Sequence, residues 1–224
     1  MEPKSREPAA KGLNMERDRY RRITPVYARV FDRLNAKLHS LVRNKYPASP
    51  GSRVLDIGCG TGAQLAGYLG EDRELFGVDL SPSMLDRARQ RLGADAHLHL
   101  GSATDLPYDH DFFDQVLASM VLHEMPNDTR LAVIGEIRRV LRTDGRLLVV
   151  EFTPAPATTS GKIFRAISWP IERLAGAEHF REFRRFVDMG GFPAVADLAG
   201  LEIESTRMLA GGNTAIYIAS PADS

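Results

Sequence analysis

The stretch VLDIGCGTG, residues 54–62, decides the fold because it joins a strand pattern to a glycine-rich turn. Its first half is apolar except for one acid, Asp56. Its second half alternates glycine with small residues, in the order Gly58, Cys59, Gly60, Thr61 and Gly62. Glycine is needed where a turning backbone must approach a ligand closely. An apolar pattern over residues 63–69 predicts a helix whose N-terminal N–H groups face the same ligand, which is typical of a nucleotide-binding site.

The composition is that of an ordinary globular chain of 224 residues, 43% hydrophobic and 26% charged, and predicts one domain. The formal net charge is +0, but residues 1–50 hold 12 Lys and Arg against 5 Asp and Glu, and the rest holds 17 against 24. The lone cysteine, Cys59, excludes a disulfide framework and a Cys-rich metal site, and no metal is predicted. We expect a cytoplasmic protein, because the sequence shows neither a secretory signal nor a membrane-spanning apolar run.

Changes in composition divide the chain into four regions. Residues 1–13 are predicted to be a disordered tail. Residues 14–50 are predicted to form a basic amphipathic helical arm, which either packs on the domain with a solvated face, or acts as a lid or rests on anionic lipid. Residues 51–153 and 191–220 are the predicted core, and residues 154–190 are an apolar helical insertion.

Strand and helix patterns alternate along the core. Further strands are predicted at residues 74–79, 96–100, 113–119, 146–152, 201–209 and 213–219. Core helices are predicted to begin at Ser81-Pro82 and to cover residues 128–141 and 192–199. This alternation indicates an α/β fold with a doubly wound parallel sheet. The short link Gly211-Gly212 predicts that the last two strands pair antiparallel.

The glycine pattern alone is also compatible with a dinucleotide site. Residues 58–63 satisfy GxGxxG/A, and Asp79 stands where a ribose-binding acid is expected. Three features argue against NAD: the acid Asp56, the third glycine at position 62, and the lack of a Tyr-x-x-x-Lys pair downstream. An NAD-dependent oxidoreductase remains an alternative of another class.

Five segments occur in an order and spacing that identify a family: VLDIGCGTG, GVDLSPSMLDRAR, GSATDLPY, FDQVLASMVLH and VLRTDGRLLVVEF. Together they resemble the class I S-adenosylmethionine-dependent methyltransferases, in particular the ubiquinone/menaquinone-methyltransferase-like branch (methyltransferase type 11). The resemblance covers roughly residues 20–219. It implies a Rossmann-like seven-stranded sheet of order 3-2-1-4-5-7-6 with an antiparallel last strand. It also implies S-adenosyl-L-methionine as cofactor and S-adenosyl-L-homocysteine as product.

The resemblance implies a role for each residue type around the cofactor. Asp79 would accept hydrogen bonds from the ribose hydroxyls. The glycines of the turn and Cys59 would lie beside the amino-acid portion. Asp56 would attract its ammonium, or would only fix the turn. Leu80 and Met84 would enclose the adenine, or would pack in the core.

The loop GSATDLPY, residues 101–108, departs from the family pattern at one position. Ser102 stands where an acid is usual, and its hydroxyl can still bind the adenine amino group. The Ala103 N–H would serve a ring nitrogen. Ser119, at the end of the fourth strand, completes the predicted cofactor set.

Methyl transfer is an in-line displacement, so positioning supplies much of the catalysis and a base is needed only if the acceptor carries a proton. His123 is predicted to be that base, to orient the acceptor, or to be an ordinary loop histidine. Glu124 and Glu151 are weaker candidates. An aromatic set is predicted either to roof an apolar acceptor pocket or to pack in the core, and it includes Tyr20, Tyr27, Phe31, Phe164 and Trp169.

The predicted acceptor is a small apolar or lipid-like molecule, such as a quinone-like ring or a secondary metabolite. A phospholipid amine methylated at the membrane surface is the alternative, because a basic arm accompanies an apolar insertion. A non-catalytic partner protein with the same fold is an alternative of another class. Nucleic acid is not expected, since basic charge is confined to the arm and no Asn/Asp-Pro-Pro-aromatic motif occurs.

Overall fold

The structure is a computed structural model that describes residues 36–156 and 158–222. In this part of the chain the strands are β1 (Ser52–Ile57), β2 (Arg73–Asp79), β3 (Ala96–Leu100), β4 (Phe113–Ser119), β5 (Leu141–Phe152), β6 (Leu201–Leu209) and β7 (Thr214–Pro221). The helices are α1 (residues 36–45), α2 (Pro82–Leu92), α3 (Asn127–Val140), α4 (Thr159–Leu174), α5 (Ala177–Asp188) and α6 (Gly191–Leu198).

The strands form one seven-stranded sheet of order β3-β2-β1-β4-β5-β7-β6, which confirms the predicted topology. Strands β1 to β5 run parallel to one another, and β7 is antiparallel to both β5 and β6. The carboxyl ends of β1, β2 and β4 therefore meet at one edge. In doubly wound sheets this edge, where the strand order reverses, is where ligands bind.

Both faces of the central strand β1 are buried, which explains why Val54, Leu55 and Ile57 are all apolar although they point to opposite faces. Leu55 and Ile57 belong to one core cluster, together with residues of α3, α5 and α6. Val54 belongs to the cluster on the other face, with Leu85 of α2. Helices thus cover both sides of the sheet, as the alternating pattern predicts.

Helix α2 begins as its sequence predicts. The Ser81 hydroxyl accepts a hydrogen bond from the Met84 N–H at 3.2 Å, and Pro82 occupies the first helical position. This cap stabilises the turn that follows Asp79. The end of β2 and the start of α2 are therefore held in a fixed geometry beside the ligand edge.

The helix predicted over residues 63–69 is wrong: the structure has only a 3-10 turn, Leu65–Tyr68. The segment contains Gly67, and it ends at Gly70, whose φ of +74° is left-handed. Glycine lowers helix propensity, and a helix this short gains little from propagation. The apolar residues Leu65 and Tyr68 are still buried, so their periodicity reports packing and not a full helix.

Strand β5 begins earlier than the predicted residue 146, and the pair Asp144-Gly145 lies within it. The pairing of β4 with β5 has an irregular register between Phe113 and Gln115. Such an irregularity accommodates the extra residues of β5 without ending the strand.

The predicted tail and most of the predicted arm lie outside the described residues. The described part of the arm is α1, whose Val42 is buried against the core. The insertion forms α4 and α5, which confirms its predicted helical character. Among the described residues, no helix is long and apolar enough to cross a membrane.

Candidate active site

A cavity of about 400 Å³ opens at the carboxyl ends of β1, β2 and β4. Its size is that of a small-molecule site. The structure brings most of the predicted cofactor residues into its wall: Gly58, Gly60, Asp79, Leu80, Met84, Ser102, Ala103 and Ser119. Three predicted residues, Asp56, Cys59 and Gly62, are not part of the wall and lie behind it.

Asp79 ties the glycine turn to the start of α2. Its Oδ2 accepts the Gly60 N–H at 2.8 Å, and its Oδ1 accepts the Ser81 N–H at 2.8 Å. A carboxylate oxygen can accept more than one hydrogen bond, and Asp79 also lines the cavity. Asp79 therefore shapes the site as well as facing it.

Glycine is needed at the three positions of the turn for different physical reasons, although all three residues have positive φ. A Cβ on Gly58 would meet the Val121 side chain at 2.5 Å. Beside Gly60 the space is open, and the nearest atom is 4.0 Å away. A Cβ on Gly62 would meet Leu92 of α2 at 2.7 Å, so this glycine permits helix packing and not ligand approach.

Replacing Gly62 by alanine is expected to destabilise the protein by about 1–3 kcal/mol through overpacking, in addition to backbone strain. Gly70 is a matched control, because its φ of +74° is close to the +71° of Gly62 but a Cβ there meets nothing within 4 Å. Urea unfolding of Gly62→Ala and Gly70→Ala would separate the cost of overpacking from the cost of backbone strain. Equal losses in both variants would contradict the packing argument.

Asp56 is only 3% exposed, and burial followed by repulsion from Asp79 raises its pKa from 3.8 to about 8. A buried acid with so high a pKa is ready to ionise when a cation arrives. Cys59 packs against Gly77 of β2, and burial raises the pKa of its thiol well above the ordinary value. Cys59 is therefore a small packing residue and an unreactive thiol.

The cavity wall contains a buried polar atom that lacks a partner. The Ser119 Oγ has no hydrogen-bond partner among the described residues. Leu80 also lines the cavity and is 58% exposed. The Ser102 hydroxyl pairs with that of Thr104 at 2.8 Å, which orients it within the loop.

His123 lies beside the cavity but is absent from its wall, and its ring is almost completely buried. Its Nδ1 is 2.8 Å from Glu151 Oε2, and its Nε2 is 3.6 Å from Glu172 Oε2. Burial alone would lower the pKa of His123, but these two carboxylates raise it well above its ordinary value. His123 and Glu151 are two of the three predicted candidates for acid–base catalysis. The structure pairs them with each other, and neither lines the cavity.

Glu124, the third candidate, does line the cavity. Its side chain is 28% exposed, and its Oε2 lies 3.8 Å from His179 Nδ1. The neighbouring wall is mostly apolar and is formed by residues that the sequence did not suggest: Met120, Val121, Met125, Pro126, Thr129 and Val133. They follow β4 directly, and chain position after a central parallel strand was the only signal for them.

The predicted aromatic roof is not seen in the cavity wall. Phe164 is 50% exposed on α4, and Trp169 packs against Phe180 and Phe183 with ring centroids 5.8 Å apart. Neither lines the cavity. Tyr20, Tyr27 and Phe31 lie outside the described residues.

Known proteins are similar to this chain in sequence and in fold. Residues 54–145 match a family described as "Methyltransferase domain". The chain is 31% identical over 189 residues to the ubiquinone/menaquinone biosynthesis C-methyltransferase UbiE of Burkholderia vietnamiensis, covering 76% of each chain. It is 29% identical over 184 residues to the demethylmenaquinone methyltransferase of Lysinibacillus sphaericus, covering 75% of this chain and 78% of the relative. The crystal structure of the PH0226 protein from Pyrococcus horikoshii OT3 superposes with a TM-score of 0.66 at 22% identity, covering 90% of this chain and 98% of that one.

The chain belongs to the class I S-adenosylmethionine-dependent methyltransferases. Within them it falls in the ubiquinone/menaquinone-methyltransferase-like branch, which confirms the predicted resemblance. It is therefore a methyltransferase enzyme, and the NAD-dependent interpretation is not supported.

The cavity fits the cofactor of this family. S-adenosylmethionine carries a ribose diol, an adenine, an amino acid and a sulfonium cation. The wall offers a carboxylate at Asp79, an unpartnered hydroxyl at Ser119 and an exposed apolar surface at Leu80. Asp56, behind the turn, can supply a negative charge. Each part of the molecule thus has a chemically suitable counterpart.

Proposed function

We propose that this enzyme transfers the methyl group of S-adenosylmethionine to a small apolar acceptor with an ionisable hydroxyl, such as a quinol-like ring. The observation that carries the proposal is the composition of the cavity wall. The polar residues Asp79, Ser81 and Ser102 lie at or after the ends of β2 and β3, whereas a mostly apolar wall with a single acid, Glu124, follows β4. The curated relatives named as quinone-biosynthesis methyltransferases support the same acceptor class.

The proposed cofactor contacts use the groups that the fold holds in place. Asp79 binds the ribose hydroxyls, while Ser102 and Ala103 face the adenine. Ser119 and the turn at Gly58 and Gly60 hold the amino-acid end. When bound, S-adenosylmethionine supplies a methyl group activated by the sulfonium charge. The residues of the chain bind and orient the acceptor and exclude water from it.

We assign the base role to Glu124 in place of His123. Glu124 is the acid in the part of the cavity wall that follows β4, whereas the His123 ring is buried and does not line the cavity. A carboxylate that takes a proton from an acceptor hydroxyl increases electron density on the ring carbon that attacks the methyl group. His179, 3.8 Å from Glu124, positions this carboxylate.

A phospholipid amine is the second candidate, and one observation favours it. Helix α4 carries a row of large apolar side chains exposed to solvent, namely Ile163, Phe164, Ile167, Ile171 and Leu174. Leu174 is 86% exposed. Such a face beside Lys162 and Arg173 suits contact with an anionic lipid surface.

Transfer of labelled methyl from S-adenosylmethionine to a panel of acceptors tests the proposal. We expect transfer to a demethylated quinol and none to phosphatidylethanolamine. Glu124→Gln is expected to lower kcat about 10²-fold or more, with the affinity for S-adenosylhomocysteine unchanged. An unchanged kcat would remove Glu124 from the base role, and transfer only to the lipid amine would favour the second candidate.

Vesicle flotation separates binding to lipid from choice of acceptor. If the enzyme works at a membrane, it should float with anionic vesicles. The double variant Ile163→Ser, Ile167→Ser should then reduce the fraction of enzyme that floats. Deletion of residues 1–35 tests the arm without removing Val42 from the core. Quinol transfer without flotation would support the first candidate alone.

A further inference from the structure

A buried cluster of two histidines and three glutamates joins four elements next to the cavity. His123 lies in the 3-10 turn Leu122–Glu124, Glu151 in β5, Glu172 near the end of α4 and His179 in α5. Glu124 is the third glutamate. The side chains of His123 and His179 are 3% and 4% exposed, and that of Glu172 is 14% exposed.

The cluster has an inner and an outer layer of polar atoms. The Nε2 atoms of both histidines face the same oxygen, Glu172 Oε2, at 3.6 Å from His123 and 2.6 Å from His179. The Nδ1 atoms point to the outer carboxylates, at 2.8 Å from Glu151 and 3.8 Å from Glu124. Metal-bound histidines commonly have one ring nitrogen on the metal and the other hydrogen-bonded to a carboxylate, as His123 Nδ1 is to Glu151.

We propose that His123, His179 and Glu172 bind a divalent transition-metal ion of the zinc class. Their ligand atoms all lie within 4.8 Å of one another. In a tetrahedral zinc site, ligands at about 2.0–2.2 Å from the metal are roughly 3.3 Å apart. The site would form if His179 Nε2 and Glu172 Oε2 moved apart by about 0.7 Å and the other ligand atoms approached by about 1.5 Å at most. Imidazole and carboxylate are suitable ligands for zinc.

The outer carboxylates and the surrounding side chains suit this role. Glu151 is fully buried and accepts backbone N–H groups of Leu122 at 2.7 Å and His123 at 3.2 Å, so its orientation is fixed. It therefore holds the His123 ring with Nε2 directed inward. Phe152 and Phe183 pack edge-on against this ring, with centroids 5.2 Å and 5.7 Å away. An apolar shell of this kind limits access of water to a metal.

The proposed ion would fasten the insertion to the cavity wall. His123 belongs to the turn that contains Glu124, and Glu124 lines the cavity. Glu172 and His179 belong to α4 and α5. Metal binding would thus order the acceptor side of the site without touching the cofactor side. A proton shared within the cluster is the competing occupant, and the experiment distinguishes the two.

Zinc binding to the untagged full-length protein tests the proposal. After treatment with chelator, ZnCl2 is titrated by calorimetry and bound zinc is counted by elemental analysis. We expect one zinc per chain, and a dissociation constant raised about 100-fold or more in Glu172→Gln and His179→Gln. His110→Gln, at an exposed loop histidine, is the matched control and should bind like the wild type.

Two outcomes would overturn the proposal. One is that the wild type binds no zinc, and the other is that Glu172→Gln and His179→Gln bind zinc with the affinity of the wild type. Binding of S-adenosylhomocysteine does not involve the proposed metal, so this binding shows whether each variant is folded. If both variants fail to fold, the wild type with Co2+ decides. Visible absorption bands of four-coordinate Co2+ are expected, and the spectrum of hydrated Co2+ would contradict the site.

Discussion

Replacing Asp79 by alanine is expected to abolish measurable binding of S-adenosylhomocysteine. The carboxylate is proposed to accept two hydrogen bonds from the ribose, and a hydrogen bond to a charged group contributes about 1.5–3 kcal/mol. Loss of two such bonds raises the dissociation constant roughly 10²-fold to 10⁴-fold. Alanine also removes the acceptors for the Gly60 and Ser81 N–H groups, so the turn loses its anchor.

Two further variants show whether the loss comes from the ligand contact. In Asp79→Asn the side chain keeps one acceptor oxygen, so binding should weaken less than in Asp79→Ala. Asp95→Ala removes an exposed acid of the same domain and should change nothing. Calorimetric titration of S-adenosylhomocysteine measures all three. Wild-type affinity in Asp79→Ala would refute the proposed cofactor site.

Much of the fold could be predicted because local chemistry and topology agree. Ser81-Pro82 begins a helix by capping chemistry alone, and the Gly211-Gly212 link leaves the last strands no arrangement other than antiparallel. Asp79 and Ser119 could be placed because they end parallel strands, and such ends meet at one edge of the sheet. These features depend on short stretches of sequence.

What could not be predicted depends on contacts between distant segments. The reason for glycine at position 62 is Leu92 on another helix. Nothing near His123 in the sequence shows that Glu172 and His179 face its ring, because α4 and α5 must first pack on the turn that contains it. Hydrophobic periodicity also predicted too long a helix over residues 63–69. The buried residues Leu65 and Tyr68 produce the helical spacing within one short 3-10 turn.

Replacing Asp56 by asparagine is expected to stabilise the free protein, increasingly so as the pH rises. The pKa of Asp56 is about 8 in the folded protein and 3.8 ordinarily. Between these values unfolding releases a proton, so the stability associated with Asp56 is present below pH 3.8 and is lost as the pH rises to about 8. The loss is at most about 1.4 kcal/mol per pH unit.

Denaturant unfolding of both proteins at pH values between 5 and 8 measures this effect. The difference in unfolding free energy between Asp56→Asn and wild type should grow across the window and level off above about pH 8. Asp95→Asn, at an exposed acid, should show no such trend. A difference that stays constant with pH would show that Asp56 is already ionised in the folded protein.

The same carboxyl explains how a destabilising acid can serve cofactor binding. The proposed site brings the ammonium of S-adenosylmethionine close to Asp56, and a nearby cation lowers the pKa of a carboxyl group. Binding near neutral pH should therefore release up to one proton from Asp56, and affinity should increase with pH by at most about tenfold per unit.

Calorimetry in buffers of different ionisation enthalpy counts the protons released on binding. Measurement between pH 6 and 7 keeps most of the ligand ammonium charged, since an α-amino group has a pKa of about 8. Asp56→Asn should release none, and equal proton release by both proteins would assign the proton to another group.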